Sequence, residues 1–413
     1  MQETFLSEFK KRGYFNQCTD QSGLNQLMNG DKIKAYIGFD CTASSLHVGS
    51  LMQIMCLRLF QKYGHQPIVL LGGGTTLIGD PSGKDETRKI LDKREIDKNI
   101  KNIKNVFKIF LKTKNSITKP IFVNNYSWLN KLNYIKFLRE IGKHFTVNKM
   151  LTFDSVKLRL EREQSLSYME FNYMMLQAYD FYELYKKHKC VLQIGGSDQW
   201  GNIVNGIDLI KRKDKKQSYG LTTHLITTAN GTKMGKTEKG AVWLNKKMLS
   251  PYEYWQFWRN TDDKDVVKFL KLFTDISLEK INELKNNNQN INKLKVLLAN
   301  ETTNMLHGNK SAKDAELTAH KTFSDKSIGK NLPVVTIKRN KIMNGINILD
   351  IVLQSKLGNS KGEIRRMIKN NGLRINNEIV ADEKTIINEN NFDNDNNMKV
   401  SHGKKQHVIL KII

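Results

Sequence analysis

The chain has 413 residues, of which 39% are hydrophobic and 26% charged, a globular composition long enough for two or three domains. Lys and Arg number 67 against 41 Asp and Glu, a formal net charge of +26 that points to a polyanion (RNA, DNA, nucleotide or acidic membrane) or to heavily charged solvated surface. Apolar runs stop at about four residues, the N-terminus lacks a signal-peptide core, and Cys18, Cys41, Cys56 and Cys190 show neither a Cys-x-x-Cys pair nor finger spacing. A membrane-spanning or secreted chain, a local zinc module and a disulfide framework are therefore not expected, and reduced thiols in a cytoplasm are.

In chain order, residues 33–38 read as a buried strand, and Leu46 to Tyr63 as a helix with Leu51, Met55, Leu59 and Tyr63 at four-residue spacing. Ile68–Leu71 is a second strand, stopped by three glycines, and a charged helix is expected over about 85–112. A short strand follows at 121–123, helical spacing returns at 169–187, and a strand at 190–194 leads into a helix after Ser197. Strands alternating with helices predict an α/β domain with a parallel, Rossmann-like sheet over residues 1–247. Residues 248–325 show helical periodicity without strands, 326–345 read as a linker around Pro333, and 346–413 form a small α+β unit. That last unit is expected to hold helices at 348–357 and 361–370 and strands near 373–375 and 408–412, with an Asn/Asp-rich loop at 388–397.

Polar residues gather at the strand-to-helix junctions, where open parallel sheets bind ligands. The first junction runs Tyr36-Ile-Gly-Phe-Asp40 to His47-Val-Gly49-Ser50; a helix starting there would turn free N–H groups and its positive dipole end toward a phosphate. A lone His-x-Gly is equally a structural turn. The second, Gly72 to Lys84, is glycine-rich but fails the Walker spacing, because Ile78 stands where the first glycine belongs and Asp85 follows Lys84. It reads either as a backbone cradle beside Asp80, Lys84 and Arg88 or as a plain glycine turn. Tyr173, Gln177 and Asp180 share one face of a helix rich in Met and Leu, so they are satisfied by the core or await a polar ligand. Gly195-Gly196-Ser-Asp198-Gln199 fits a capped helix start or a carboxylate for ribose hydroxyls. Finally, Gly231-Thr-Lys233-Met-Gly-Lys236 is a cationic loop suited to polyphosphate or to solvent.

Taken in this order, the motifs resemble those of bacterial tyrosyl-tRNA synthetases, class I aminoacyl-tRNA synthetases. His47-Val-Gly-Ser50 is similar to the family's His-Ile-Gly-His signature and Lys233-Met-Gly-Lys-Thr237 to its Lys-Met-Ser-Lys-Ser signature. Tyr36 to Asp40, Gly79 to Ser82, Tyr173 to Asp180 and Gly195 to Asn202 resemble further family blocks. Residues Ser360–Lys369 with Gly372–Asn376 resemble an S4-type RNA-binding domain. The resemblance covers nearly the whole chain. It implies activation of L-tyrosine by ATP, with Mg²⁺ bound through the ATP and no zinc, then transfer to tRNA(Tyr).

By the same resemblance, Tyr36 and Asp180 would bind the tyrosine hydroxyl; Asp80, Tyr173 and Gln177 the α-ammonium; and Gln199 would lie by the reacting carboxylate. Thr42, His47, Lys84, Arg88, Lys233 and Lys236 would surround the phosphates. Gly38, Asp40, Gly49, Ser50, Gly196, Asp198 and Met234 would complete the ATP site, with Asp198 holding the ribose. Lys361, Arg365, Arg366 and Lys369 would meet RNA, and no residue is assigned to a metal. A cytoplasmic homodimer is implied, with its interface in 121–170 and with neither membrane nor DNA as partner.

Two departures stand out. Ser50 replaces the second signature histidine, and Gly235 replaces the signature serine, which should loosen the loop 231–240 and removes a hydroxyl donor. Rival readings are a tryptophan ligase, an RNA-binding protein with a vestigial catalytic half, and a small-molecule nucleotidyltransferase. The Tyr36–Asp180 pair speaks against the first, the intact polar positions against the second, and the S4-like unit against the third.

Overall fold

The computed structural model describes residues 3–79, 91–231, 234–237, 240–287, 290–324, 332–343, 345–393, 395–403 and 406–413. The chain divides into two compact units, one of Met1–Leu249 with Asn260–Leu306, the other of Ser250–Arg259 with His307–Ile413.

The first unit is built on six strands: β1 (Phe15–Cys18), β2 (Lys34–Phe39), β3 (Gln66–Leu71), β4 (Ile121–Asn124), β5 (Cys190–Gly196) and β6 (Tyr219–Thr223). Their spatial order is β1-β6-β5-β2-β3-β4, with β1 antiparallel to β6 and every other pair parallel. Strands β3, β5 and β6 are buried along nearly their whole length, as strands covered on both faces must be. The chain builds outward from β2 through β3 to β4, then returns to the other side of β2 for β5. That reversal opens a crevice at the carboxyl ends of β2 and β5, where a doubly wound sheet receives its ligand.

Four helices position this crevice. Val48–Lys62 follows β2 and buries Leu51, Met55 and Leu59, three of the four residues whose spacing predicts it. Lys93–Phe110 begins at an Asp92 cap and turns Ile96, Ile100, Ile103 and Phe107 inward. The helix expected over 85–112 is thus described only from Lys93, and residues 80–90 lie outside the described residues. Tyr168–His188 starts at a capping box, in which Ser167 and Glu170 satisfy each other's backbone amides. Trp200–Asp214 lies against it and leads to β6. Two short strands, β7 (Lys236–Thr237) and β8 (Gly240–Ala241), pair antiparallel.

In the second unit, the helices Pro251–Arg259 and Asn309–Ser324 pack together. The remaining strands are β9 (Val334–Ile337), β10 (Ile346–Asn347), β11 (Leu373–Ile375), β12 (Glu378–Ile379), β13 (Ile386–Ile387), β14 (Asn397–His402) and β15 (Gln406–Ile412). Five form a sheet in the order β12-β11-β14-β15-β9, and β10 pairs with β13. The helices Ile348–Gln354 and Lys361–Lys369 contribute Ile351, Val352, Ile364 and Ile368 to one apolar core with Leu373, Val400 and Leu410 of the sheet.

Two sequence expectations differ here. Residues 334–337, read as part of a linker, form an edge strand parallel to β15, because the β-branched run Val-Val-Thr-Ile fits a pleated surface. The helical stretch 248–325 is shared between the two units rather than standing apart.

Candidate active site

A cavity of about 400 Å³ lies at the carboxyl ends of β2 and β5. Of the residues singled out in the sequence, it brings together Tyr36, Gly38, Asp40, Thr42, His47, Gly49, Ser50, Tyr173, Gln177, Asp180, Gly196, Asp198 and Gln199. They come from segments spread over more than 160 positions. Asp80, Lys84, Arg88 and Lys233, together with the side chain of Lys236, lie outside the described residues. Met234 is buried, but it does not line the cavity. Lys361, Arg365, Arg366 and Lys369 belong to the second unit; there Lys361 pairs with Asp350 at 2.7 Å and Arg365 with Glu383 at 3.0 Å.

One part of the cavity wall is built around Asp180, which is 1% exposed. Its Oδ1 accepts from Trp128 Nε1 at 2.7 Å and its Oδ2 from Asn125 Nδ2 at 2.9 Å. Burial pushes the carboxyl up to about 7, against the two N–H donors, which favour the ionised form. Tyr36 reaches the same cavity from β2, and its buried hydroxyl has no hydrogen-bond partner among the described residues. Burial, and then the neighbouring Asp180 charge, hold the Tyr36 phenol well above its ordinary value, so it is an O–H donor at any physiological pH. A buried donor and a buried acceptor in one pocket suit a ligand hydroxyl, which accepts from the first and donates to the second.

The middle of the site is an amide network. Gln177 Nε2 donates to Gln199 Oε1 at 3.1 Å, and Asn202 Nδ2 donates to both Gln177 Oε1 and Gln199 Oε1, at 3.0 and 3.2 Å. Beside Tyr36 in the sheet register sits Gln193, 2% exposed, whose Oε1 has no partner among the described residues.

Beyond the carboxyl end of β2, His47 caps the helix Val48–Lys62, its Nδ1 accepting from Gly49 N at 3.0 Å. A neutral ring bonded this way carries its proton on Nε2, a donor suited to a phosphate oxygen. The expectation of free helix amides needs correcting. Val48 N donates to Val242 O at 2.9 Å, Gly49 N to the His47 ring and Ser50 N to His47 O at 2.9 Å, so the first three amides already have acceptors. The dipole remains, but the donors offered there are side chains.

Two glycines of the run after β3, Gly73 and Gly74, pack closely against neighbouring side chains. A Cβ at Gly73 would lie 2.2 Å from Asn124 Oδ1, and Gly74 N donates to Asn125 Oδ1 at 2.7 Å. Gly72 and Thr75 line the cavity, while the rest of the stretch read as a cradle, residues 80–84, lies outside the described residues. Nearby, Asn99 is 1% exposed and holds the loop after β2: its Nδ2 donates to Cys41 O at 2.9 Å and its Oδ1 accepts from Ser44 Oγ at 2.8 Å.

Sequence reading missed Asn125, Trp128, Gln193 and Asn99 as contributors. Asn125 and Trp128 stand just past the carboxyl end of β4, and the strand-end rule applied there would have drawn notice to them. Nothing in the local sequence of Asn99 marks it, since it lies 58 positions from the carbonyl it holds.

Comparison with known proteins now adds identity to geometry. The family description "tRNA synthetases class I (W and Y)" fits residues 28–324, and "Tyrosine--tRNA ligase SYY-like C-terminal domain" fits 325–410. A mitochondrial tyrosyl-tRNA synthetase from Aspergillus nidulans, C-terminally truncated, superposes with a TM-score of 0.71 at 28% identity, covering 78% of this chain and 95% of that one. The parallel sheet with its ligand crevice is thus the class I aminoacyl-tRNA synthetase fold. Among curated proteins, the tyrosine–tRNA ligase of Pelagibacter ubique is 64% identical over 409 residues, 99% of each chain. That of Rickettsia rickettsii is 50% identical, covering 99% of this chain and all of its own. The chain belongs to the tyrosine–tRNA ligase family.

Proposed function

We propose that the protein is a tyrosine–tRNA ligase that activates L-tyrosine with MgATP and transfers it to the 3′ end of tRNA(Tyr). The observation that carries the choice of amino acid is the Asp180–Tyr36 pair. A phenol hydroxyl satisfies both groups, donating to the Asp180 carboxylate and accepting from Tyr36. Indole N–H can only donate and phenylalanine can do neither, so each would leave a buried polar group unpaired.

In the first step a tyrosine carboxylate oxygen bonds to the α-phosphorus of ATP while the bond to the β-phosphate bridging oxygen breaks, releasing pyrophosphate. The carboxylate is already ionised near neutral pH, so no general base is needed. Catalysis then rests on orientation and on stabilising charge as it spreads over the phosphates. Gln177 and Tyr173, with Asp80, hold the α-ammonium; Gln199 lies by the carboxylate; Asp198 beside Gly196 accepts from the ribose. His47 Nε2–H and the Thr42 hydroxyl face the phosphates, with Lys84, Arg88, Lys233 and Lys236 as the cations. Mg²⁺ would arrive bound to the ATP phosphates. In the second step a terminal ribose hydroxyl of tRNA attacks the adenylate carbonyl and AMP leaves.

The tRNA also meets cationic surface. Lys211, Arg212, Lys215 and Lys216 are exposed at the end of the helix Trp200–Asp214, and burial together with the charges of Lys143, Lys213, Arg212 and Lys215 holds His144 below its ordinary value. Arg366 and Lys369 of the S4-like unit, both exposed, add contacts. A homodimer through 121–170 is supported by exposed apolar side chains there, with Ile135 at 70%, Tyr168 at 65% and Val147 at 60%. No described helix is long and apolar enough to cross a membrane, and a cytoplasmic enzyme accords with the proposed role.

The test is ATP–pyrophosphate exchange by purified protein, with each amino acid in turn. Exchange with tyrosine alone is expected. Exchange with tryptophan, or none together with tight binding of structured RNA, would overturn the proposal.

A further inference from the structure

The loop replacement at Gly235 looks at first like lost order, but its surroundings are closely packed. Met234 and Gly235 are both buried, Met234 N donates to Ile226 O at 3.1 Å, and Gly235 O accepts from Val242 N at 3.1 Å. The segment after β8 then runs beside the signature turn: Val48 N donates to Val242 O and Leu244 N to Leu46 O, each at 2.9 Å, and the Trp243 ring meets the His47 ring edge-on. Gly49 and Gly235 touch at the centre of this seam. A Cβ on Gly235 would lie 2.7 Å from Gly49 N and 2.7 Å from His47 Nδ1; a Cβ on Gly49 would lie 2.8 Å from Met234 O and 2.6 Å from His47 Cε1. Gly235 also has φ +104°, a backbone region that side chains disfavour. Each missing side chain makes room for the other strand of chain.

We propose that Gly49 and Gly235 are a matched pair of positioning residues that seats the lysine loop directly on the His47 turn. The amide that fixes the His47 ring, Gly49 N, is the atom that Gly235 packs against. The pair therefore couples the ring's orientation, with its Nε2 donor, to the backbone of β7, which carries Lys236. Serine at 235 would not restore a missing donor here; it would unseat the loop. This inference rests on the functional reading above.

Gly240 supplies the control. Its φ of +109° matches that of Gly235, yet a Cβ there meets nothing within 4 Å among the described residues. Alanine at 240 carries the backbone strain without the collision. The experiment measures tyrosine-dependent exchange, tyrosine binding by equilibrium dialysis, and amide hydrogen exchange at Met234 and Val242, in the full chain. Gly235→Ala and Gly235→Ser are expected to lower kcat by about tenfold or more, with tyrosine Kd held within about twofold and both amides losing protection. Gly240→Ala should stay within about threefold of the parent on all three readouts. Gly49→Ala combined with Gly235→Ala should lose less than the product of the single losses, because both break one contact. The inference falls if Gly235→Ser exchanges at the parental rate, if Gly240→Ala is as slow as Gly235→Ala, or if tyrosine binding weakens as much as kcat. Absence of exchange in the parent protein would count against the functional reading instead, and the hydrogen-exchange comparison would still decide the seating.

Discussion

Asp180 shows how one residue ties burial to both specificity and pH. Its carboxyl titrates at about 7 in the ligand-free protein, against an ordinary 3.8, because burial outweighs its two N–H donors. The folded state therefore binds this proton more tightly than the unfolded chain. Stability from this group is greatest at low pH and is lost as pH rises from about 4 through about 7. Asp180→Asn should remove that slope, which thermal melts across this range will show. Accepting a phenol proton requires the ionised form, so tyrosine Kd should weaken as pH falls below about 7, approaching tenfold per unit; a flat profile would mean the carboxyl is already ionised. Tyr36→Phe should leave the melting temperature unchanged or raised, since the hydroxyl has no partner among the described residues. It should cost about fivefold in discrimination between tyrosine and phenylalanine, the worth of one neutral hydrogen bond of about 1 kcal/mol.

At the scale of elements, the substrate residues are only as well placed as the segments carrying them. The helix Tyr168–His188 bears Tyr173, Gln177 and Asp180, and its start is fixed by Ser167, Glu170 and Arg159, the last bonding Glu170 at 2.9 Å. Ser167→Ala should cost about 1 kcal/mol of stability, read by denaturant unfolding. The loop from Asp40 to Ser44 depends instead on a neighbouring helix. Asn99→Ala should raise the KM for ATP severalfold while tyrosine Kd is kept, because Asn99 bonds Cys41 and Ser44 of the loop after β2. Equal losses for both substrates would mark Asn99 as a folding residue only. The helices themselves were legible from apolar spacing, and so was the face shared by Tyr173, Gln177 and Asp180. The hold by Asn99 was not, because it joins two elements through side-chain bonds that leave no periodic trace.

For the whole molecule, the charge takes on a distribution. From Met343 onward, eleven Lys and Arg face eight Asp and Glu, so this terminal part contributes only +3 of the +26. Two of its four candidate RNA contacts are already engaged with Asp350 and Glu383. Most of the field that draws in a polyanion must come from elsewhere in the chain. Reversing Lys211 and Arg212 to Glu should therefore depress tRNA charging and flatten its salt dependence, while leaving pyrophosphate exchange near the parental rate. Ile135→Asp should shift the species seen by light scattering from dimer to monomer, because a charge at a 70% exposed apolar position costs little in a monomer and much in an apolar interface.

The sequence by itself determined the α/β alternation, the junctions that carry polar residues and the family, because apolar period and ordered motifs are local properties. Thirteen of the residues it singled out line one cavity. Only the tertiary structure decided that the helix amides at His47 are already used, that the glycines after β3 make room for asparagines, that Asp180 is held by Asn125 and Trp128, and that Gly235 packs instead of loosening. Each of these depends on atoms brought together from distant parts of the chain. Donor satisfaction and the space beside a glycine exist only once those parts have met.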